Sequence, residues 1–321
     1  MLFAKYVRQA ALEEVNQDGA PVQEKNRIVV FPGMELTLSV PCQALILFDA
    51  DFPDDMFSLA ITALAINQSD DSQSRTAQVE RLNIRTITAL KESLDKHEYL
   101  RGKYIILPNV SEGGSSTLLR SGFASEYKSM PCVGGYVDGS IAKFGNGNRG
   151  IVSGKNKEYG YKKIALFQTS DNRRENHADL GVHTTWVKWA KPTAEALRQA
   201  CLADDSRLSQ DTPQLPQLYI TKISISNSKF LGPLNLDFNH QFNAIIGGRG
   251  TGKSSILEYL RWALCDEPAL GDDDEGIDFQ AKRRKLIEKT LLSLSSNIQV
   301  EFIKNDVKHT LRRSASEKSI L

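Results

Sequence analysis

The chain has 321 residues, 40% of them hydrophobic, and its 40 basic and 39 acidic side chains leave a formal charge of +1. That composition excludes a disordered chain and leaves room for two domains of ordinary size. The balanced charge excludes a global field that would draw the protein onto nucleic acid or membrane, so any such binding must use a local patch.

Residues 4–16 read as a helix, followed by the turn-rich Asn16-Gln17-Asp18-Gly19 and a short strand, Ile28-Val29-Val30-Phe31, stopped by Pro32-Gly33. Ala44-Leu45-Ile46-Leu47-Phe48, ending at Asp49, and Tyr104-Ile105-Ile106-Leu107 are near-continuous apolar runs that suit strands buried on both faces of an α/β sheet. Segments 54–66 and 76–98 read as helices, the Gly-, Asn- and Ser-rich stretch 134–160 as loops, Ile164–Phe167 as a strand and Thr193–Leu202 as a helix. The polar, proline-containing Asp204–Gln217 is the best domain boundary, giving domains 1–210 and 211–321. Beyond it, Tyr219–Ile225, Leu234–Phe238 and Phe242–Ile246 read as strands and Lys253–Leu264 as a helix. An acidic loop around Asp272-Asp273-Asp274-Glu275 follows, then a helix over Gln280–Leu294 and a hairpin of Ile298–Lys304 with Val307–Arg313.

Cys42, Cys132, Cys201 and Cys265 lie far apart with no CxxC pair, against a zinc knuckle or a secreted disulfide framework. The start of the chain has no apolar h-region, and no apolar run approaches the ~18 residues that span a bilayer. A cytoplasmic protein with no membrane partner is expected.

The strongest motif is Gly247-Gly248-Arg249-Gly250-Thr251-Gly252-Lys253-Ser254, a G-x-x-x-x-G-K-[ST] loop followed by Ser255 and set between an apolar strand and a helix. Glycines let such a loop turn successive N–H groups toward phosphates, and the helix adds its positive end. Lys253 would reach the β- and γ-phosphates, and Ser254 would supply a hydroxyl to Mg2+. The expected ligand is ATP with Mg2+, with GTP as the weaker candidate. The plainer alternative is a glycine turn with an incidental lysine. A dinucleotide site is disfavoured, because no acidic residue closes a following βαβ unit.

The region Tyr219–Leu264 resembles the opening of the structural-maintenance-of-chromosomes, RecF and RecN group of ABC-type ATPases. The resemblance rests on Ile223-Ser224-Ile225-Ser226-Asn227-x-Lys229-Phe230, Leu234–Phe238, Asn243–Gly247 and Gly252–Glu258. It implies a small antiparallel β layer over the P-loop, ATP hydrolysed between two heads in a head-to-head dimer, and action in DNA repair, chromosome handling or phage defence. Gly248-Arg249-Gly250 replaces the usual Gly-x-Asn-Gly, a form like that of ATPases fused to a PHP-type domain; Arg249 would either meet a phosphate or a partner head or be an exposed arginine with no such duty. Hydrolysis in the family also needs a Walker B strand and a signature motif. Leu264-Cys265-Asp266-Glu267 matches Walker B superficially but follows Lys253 too closely for a parallel strand to form. The expectation is therefore the N-terminal lobe of such a head, with the water-activating residues lying outside this chain.

Three earlier segments resemble a PHP (polymerase and histidinol phosphatase) metal-dependent phosphoesterase domain: Val29–Leu36, Gln43–Asp49, and Ser170-Asp171 followed by Leu180-Gly181 and Thr185–Lys188. The resemblance implies an incomplete, distorted β/α barrel, with Glu35 matching the metal-bridging glutamate and Asp171 a late metal-binding aspartate, for Mn, Zn or Fe. Gln43 and Leu107 stand where the family has histidine, Asn172 and Arg173 follow Asp171, and the opening His-x-His would precede residue 1. Neither Gln nor Leu replaces an imidazole ligand well, which argues against a working multi-metal site. On plainer readings Glu35 is a solvated carboxylate, Asp171 a helix N-cap, and His177 and His183 surface residues.

Lys282-Arg283-Arg284-Lys285 and Arg312-Arg313 would face DNA phosphates if the resemblance extends so far; a solvated helix face is preferred. Two rival functions remain: a metallophosphoesterase or nuclease regulated by the P-loop domain, and a non-catalytic nucleotide-gated interaction module.

Overall fold

The structure, a computed structural model, describes residues 2–15, 19–21, 28–40, 42–66, 82–172, 174–214, 216–264 and 274–314. The chain divides into two units, Met1–Pro213 and Gln214–Leu321. The α/β class expected from the sequence holds in both.

The first unit runs α1 (Leu2–Leu12), β1 (Gly33–Thr37), β2 (Gln43–Phe48), α2 (Asp54–Ala63), α3 (Ile87–Asp95), β3 (Tyr104–Pro108) and α4 (Ala124–Ser129). It continues with β4 (Gly134–Asp138), α5 (Asn146–Val152), β5 (Ala165–Thr169), β6 (Trp186–Val187), α6 (Ala194–Leu202), α7 (Asp204–Arg207) and β7 (Leu208–Ser209). Strands β1, β2 and β3 form an antiparallel sheet with β2 in the middle. β4 and β5 pair in parallel, and a parallel bridge between Asn109 and Tyr136 connects them to the end of β3. β6 and β7 pair antiparallel.

Strand β2 is covered on both faces, as its apolar run implies. Ala44, Ile46 and Phe48 enter a core with Leu90, Leu94 and Tyr127. Leu45 and Leu47 pack on the opposite side against a second core holding Leu107, Leu197 and Cys201. The pairing is antiparallel, however, because a central strand between two cores carries the same apolar signature whichever way its neighbours run.

Three expectations are corrected here. The segment 28–32 is not a strand; Pro32-Gly33 opens the strand instead of stopping it. Pro32 O accepts from Phe48 N at 2.8 Å, and a Cβ on Gly33 would lie 2.5 Å from Ile46 O, so glycine is needed for the close approach of β1 to β2. The stretch 134–160 is not all loop, since it holds β4 and α5. Its leading glycines serve packing: a Cβ on Gly134 would lie 2.7 Å from Cys201 Sγ, and one on Gly135 2.9 Å from Val110 Cγ2. The polar stretch Asp204–Gln217 is not all irregular, since it begins with α7 and β7; the division between the two units, at Pro213/Gln214, falls within it. The part of the expected helix at 76–81, the turn residues 16–18 and the look-alike Cys265–Glu267 lie outside the described residues.

Buried Asp49 closes the first unit. Its carboxylate accepts from Ala194 N at 2.7 Å, at the start of α6, and lies 3.6 Å from Lys103 Nζ. Thr193, the N-cap of α6, accepts from Ala196 N. A carboxylate and a hydroxyl thus satisfy amides that have no partner within the helix, and the negative charge meets the positive helix end.

The second unit contains β8 (Leu218–Ile225), β9 (Leu234–Asp237), α8 (Lys253–Leu264), α9 (Asp274–Thr290), β10 (Asn297–Lys304) and β11 (Val307–Ser314). The four strands form one antiparallel sheet in the order β11-β10-β8-β9. Its inner face, Ile223, Ile225, Ile298 and Val300, is fully buried with Tyr259 and Ala263 of α8 and with Ile287 and Leu291. Alternation places Lys222, Glu301 and Lys308 on the other face, where Lys308 pairs with Glu301 at 2.7 Å.

Two further expectations change. Helix α9 starts at Asp274, so Asp274 and Glu275 occupy its first turn and not a loop, while Asp272 and Asp273 lie outside the described residues. Residues 242–246 form no regular element and pair with no strand among the described residues, and Phe242 and Ile246 are 89% and 91% exposed. Apolar β-branched sequence alone does not make a strand without a neighbour to accept its backbone hydrogen bonds.

Asp49→Ala is expected to cost about 2 kcal/mol in denaturant unfolding, and Asp49→Asn, which keeps an acceptor, less. Burial pushes the thiols of Cys42, Cys132 and Cys201 up to about 12. An unfolded thiol ionises near about 8.5, so the stability these groups contribute is complete below that pH and is lost as pH climbs toward the folded value. These three cysteines should resist a disulfide-exchange reagent at pH 8 in the folded protein and react on unfolding, as peptide mapping would reveal.

Candidate nucleotide-binding site

The segment 247–252 links residues 242–246 to the first turn of α8. Gly250 and Gly252 have φ of 82° and 89°, backbone that only glycine adopts without strain. Gly252 is needed for a second reason: a Cβ there would lie 2.6 Å from Leu231 Cδ2 and 3.0 Å from Phe230 Cε1. At Gly247 a Cβ would lie 2.7 Å from Thr251 Oγ1, whereas at Gly248 it would meet only Thr251 Cγ2 at 3.9 Å.

Thr251 Oγ1 donates to Gly248 O at 3.0 Å and closes the loop on itself. Lys253 Nζ donates to Gly247 O at 2.7 Å and to Gly248 O at 2.6 Å, so the ammonium folds back across the loop. Among the described residues no hydrogen bond engages the backbone N–H groups of Gly248 to Gly252. Arg249 and Ser254 are exposed, and Ser255 is half-buried. Amides without a hydrogen-bond partner, beside a lysine and a hydroxyl at a helix start, are groups of the kind that hold anions in other proteins.

What holds this loop lies upstream and downstream of it. Ser228, 7% exposed, accepts through Oγ from Phe230 N at 3.1 Å and Leu231 N at 2.7 Å, fixing the turn that presents both side chains to Gly252. The hydroxyl of Tyr259, on α8, bridges Ser228 Oγ at 3.2 Å and Thr290 Oγ1 at 2.8 Å, at the end of α9. Lys229 N donates to Thr290 O at 3.0 Å, and Ser226 N to Asn297 O at 2.9 Å. The sequence gives no period or spacing that places Ser228, Leu231, Tyr259 and Thr290 together; a polar serine ahead of Phe-Leu-Gly-Pro is the only local cue to a turn.

Part of the basic sequence is structural. Arg283 forms an ion pair with Glu258 of α8. Arg313 lies with its guanidinium 4.3 Å from the Trp262 ring centroid and donates to Trp262 O. Arg284 and Lys285 are exposed on α9.

In the first unit, Glu35 Oε1 accepts from Tyr136 Oη at 2.8 Å. Asn109 Nδ2 donates to Tyr136 Oη at 3.2 Å and to Asp138 Oδ2 at 3.1 Å, and Ser111 Oγ lies 3.3 Å from the same carboxylate oxygen. Burial, and next the hydrogen bond to Glu35, push the Tyr136 phenol upward, so it keeps its proton and acts as donor. Asp138 and Asn109 had no place in the sequence reading, because Asp138 ends a strand that was taken for a loop. Asp171 follows β5 with φ of 42° and starts no helix among the described residues, so it is not an N-cap. Arg173 lies outside the described residues. His177 Nδ1 is 3.4 Å from Asn172 Nδ2, and the His183 backbone carbonyl accepts from Ser170 Oγ at 3.1 Å. Gln43 lies on β2, and Leu107 is buried. Among the described residues no group of three His, Cys, Asp or Glu side chains is placed to hold a metal ion. Nor is any described helix long and apolar enough to cross a membrane.

Residues 222–320 match the family model of an AAA domain, a span inside the second unit that begins within β8 and takes in the P-loop. The match supports an AAA-type, nucleotide-binding ATPase domain, a family that generally uses ATP and Mg2+. No curated protein and no solved structure matches the chain.

Gly252→Ala combines a left-handed φ with a clash and is expected to cost about 1–3 kcal/mol in urea unfolding followed by circular dichroism. Gly248→Ala, with open space and no such φ, should fall within about 0.5 kcal/mol of the parent.

Proposed function

We propose that the second unit binds ATP with Mg2+ through Gly247–Ser255, and that Lys253 is the residue on which phosphate binding turns. The observation that carries this reading is the set of open amides from Gly248 to Gly252 beside an ammonium whose only recorded partners are the loop's own carbonyls. Those contacts are replaceable, since a phosphate is a stronger partner for an ammonium than a neutral carbonyl. The residues fit the ligand: amides and Lys253 for the phosphates, the Ser254 hydroxyl for Mg2+, and exposed Arg249 for the outer phosphate or a facing head. Bound Mg2+ would neutralise charge on the β- and γ-phosphates. The loop itself contains no Asp or Glu, so its residues account for binding and orientation only.

On this reading the unit is part of an SMC/RecF-like ATPase that works as a pair of heads in DNA repair, chromosome handling or phage defence, and the resemblance in β8, β9 and the P-loop supports it. Any DNA contact would rest on Arg284, Lys285 and Arg312, because Arg283 and Arg313 have structural partners. The first unit is read as a PHP-related domain in which Glu35 and Asp171 are remnants of a metal site, and the engagement of Glu35 by Tyr136 favours a structural part for that carboxylate.

Calorimetric titration of the full chain with Mg-ATP tests the central statement. Lys253→Ala should weaken binding by about tenfold or more, the worth of a charge-assisted contact. Equal affinities for parent and variant would refute the assignment.

A further inference from the structure

The first unit holds a cavity that neither the P-loop nor the polar group around Glu35 accounts for. It has a volume of about 400 Å³ and lies against α5, the residues just before that helix, and β5. Ile141, Phe144, Val152 and Leu166 supply its apolar lining, and Arg149 and Lys155 its charge. Among the described residues that line it, none is acidic. An apolar hollow of a few hundred Å³ with a small number of polar groups is the usual form of a small-molecule site. In the β4–β5 pair, Tyr136 and Phe167 point into one core and Val137 and Leu166 into the other. The cavity therefore lies on the opposite face of that pair from Tyr136 and its partner Glu35.

Both cations are available to a ligand. Arg149 Nε donates to Phe144 O at 2.8 Å, and Nη2 donates to Ala142 O at 3.1 Å and Ile141 O at 3.2 Å, so three carbonyls fix the guanidinium plane. Its Nη1 has no partner among the described residues. A donor already held in place loses little freedom when an anion binds. Lys155 is exposed and its ammonium pairs with no described residue, while its N–H donates to Gly150 O at 2.9 Å and fixes the turn after α5. Gly150 itself forms part of the wall. Its φ is not left-handed and a Cβ there would meet nothing within 4 Å, so neither backbone nor packing requires glycine at this helical position. The missing side chain leaves the cavity open.

From this arrangement we propose that the cavity binds a small organic anion, with its apolar body against Phe144, Val152 and Leu166 and its acidic group on Arg149 and Lys155. An anionic acceptor is the strongest hydrogen-bond partner for a fixed guanidinium. The proposal does not depend on the P-loop reading.

The probe is anilinonaphthalene sulfonate, whose fluorescence rises in apolar surroundings, compared with phenylnaphthylamine, the same ring system without the sulfonate. The full chain is expected to bind the sulfonate at a saturable site with Kd on the order of tens of micromolar, and the neutral amine about tenfold more weakly. Gly150→Leu fills the cavity without strain, and should abolish that site while the unfolding temperature stays at or above the parent's. Arg149→Met should weaken the sulfonate about tenfold and Lys155→Met about threefold, each leaving the amine within about twofold. Absent binding, equal affinities for the two probes, or sulfonate binding that survives Gly150→Leu would overturn the proposal. If Gly150→Leu or Arg149→Met unfolds at a lower temperature than the parent, Lys155→Met at the exposed rim decides: a loss for the sulfonate alone upholds the proposal, and an equal loss for both probes or none overturns it.

Discussion

The second unit depends on one close approach. Leu231 and Phe230 press against Gly252 so tightly that no side chain fits there, and Gly252 has a φ that only glycine tolerates. The turn before them is fastened to buried Ser228, Ser228 to Tyr259 of α8, and Tyr259 to Thr290 of α9. The β8–β9 connection, the loop 247–252 and both helices are therefore coupled through a few hydroxyls. Buried networks of this kind hold a single geometry when every member is satisfied. The loop needs such support, since among the described residues its internal bonds are the Thr251 and Lys253 contacts to the Gly247 and Gly248 carbonyls.

The first unit solves a different problem with similar means. Its central strand separates two apolar cores, and its far end is tied to α6 through the Asp49 carboxylate, 145 residues away in sequence. Glycines 33, 134 and 135 let backbones approach where any Cβ would collide. The polar group formed by Glu35 of β1, Tyr136 and Asp138 of β4, and Asn109 just after β3 is linked by its own hydrogen bonds.

Much of this was legible in the sequence. The P-loop, its following helix, β8, β9 and the final hairpin follow from glycine spacing and alternation, signals that are local by nature. What failed were inferences in which glycine or apolar residues were given one meaning. Gly134 and Gly135 looked like loop residues but sit in a buried strand, because close packing and turning both select glycine. Phe242–Ile246 looked like a strand but lacks a partner among the described residues, and pairing is a property of two segments. The lock of Ser228, Tyr259 and Thr290 joins positions 31 residues apart at each step, so no local pattern could announce it. Likewise Arg283 and Arg313 read as a charge cluster, although their partners Glu258 and Trp262 lie on α8.

The account stands on one claim, that the loop proposed to bind phosphates and the turn at Ser228 that braces it respond together to nucleotide. Hydrogen–deuterium exchange with and without Mg-ATP addresses it directly. The account predicts slowed exchange in peptides covering 226–231 and 247–256 together, with peptides covering Glu35 and Asp138 unchanged. Slowing confined to the first unit, or at neither of those two segments, would contradict it.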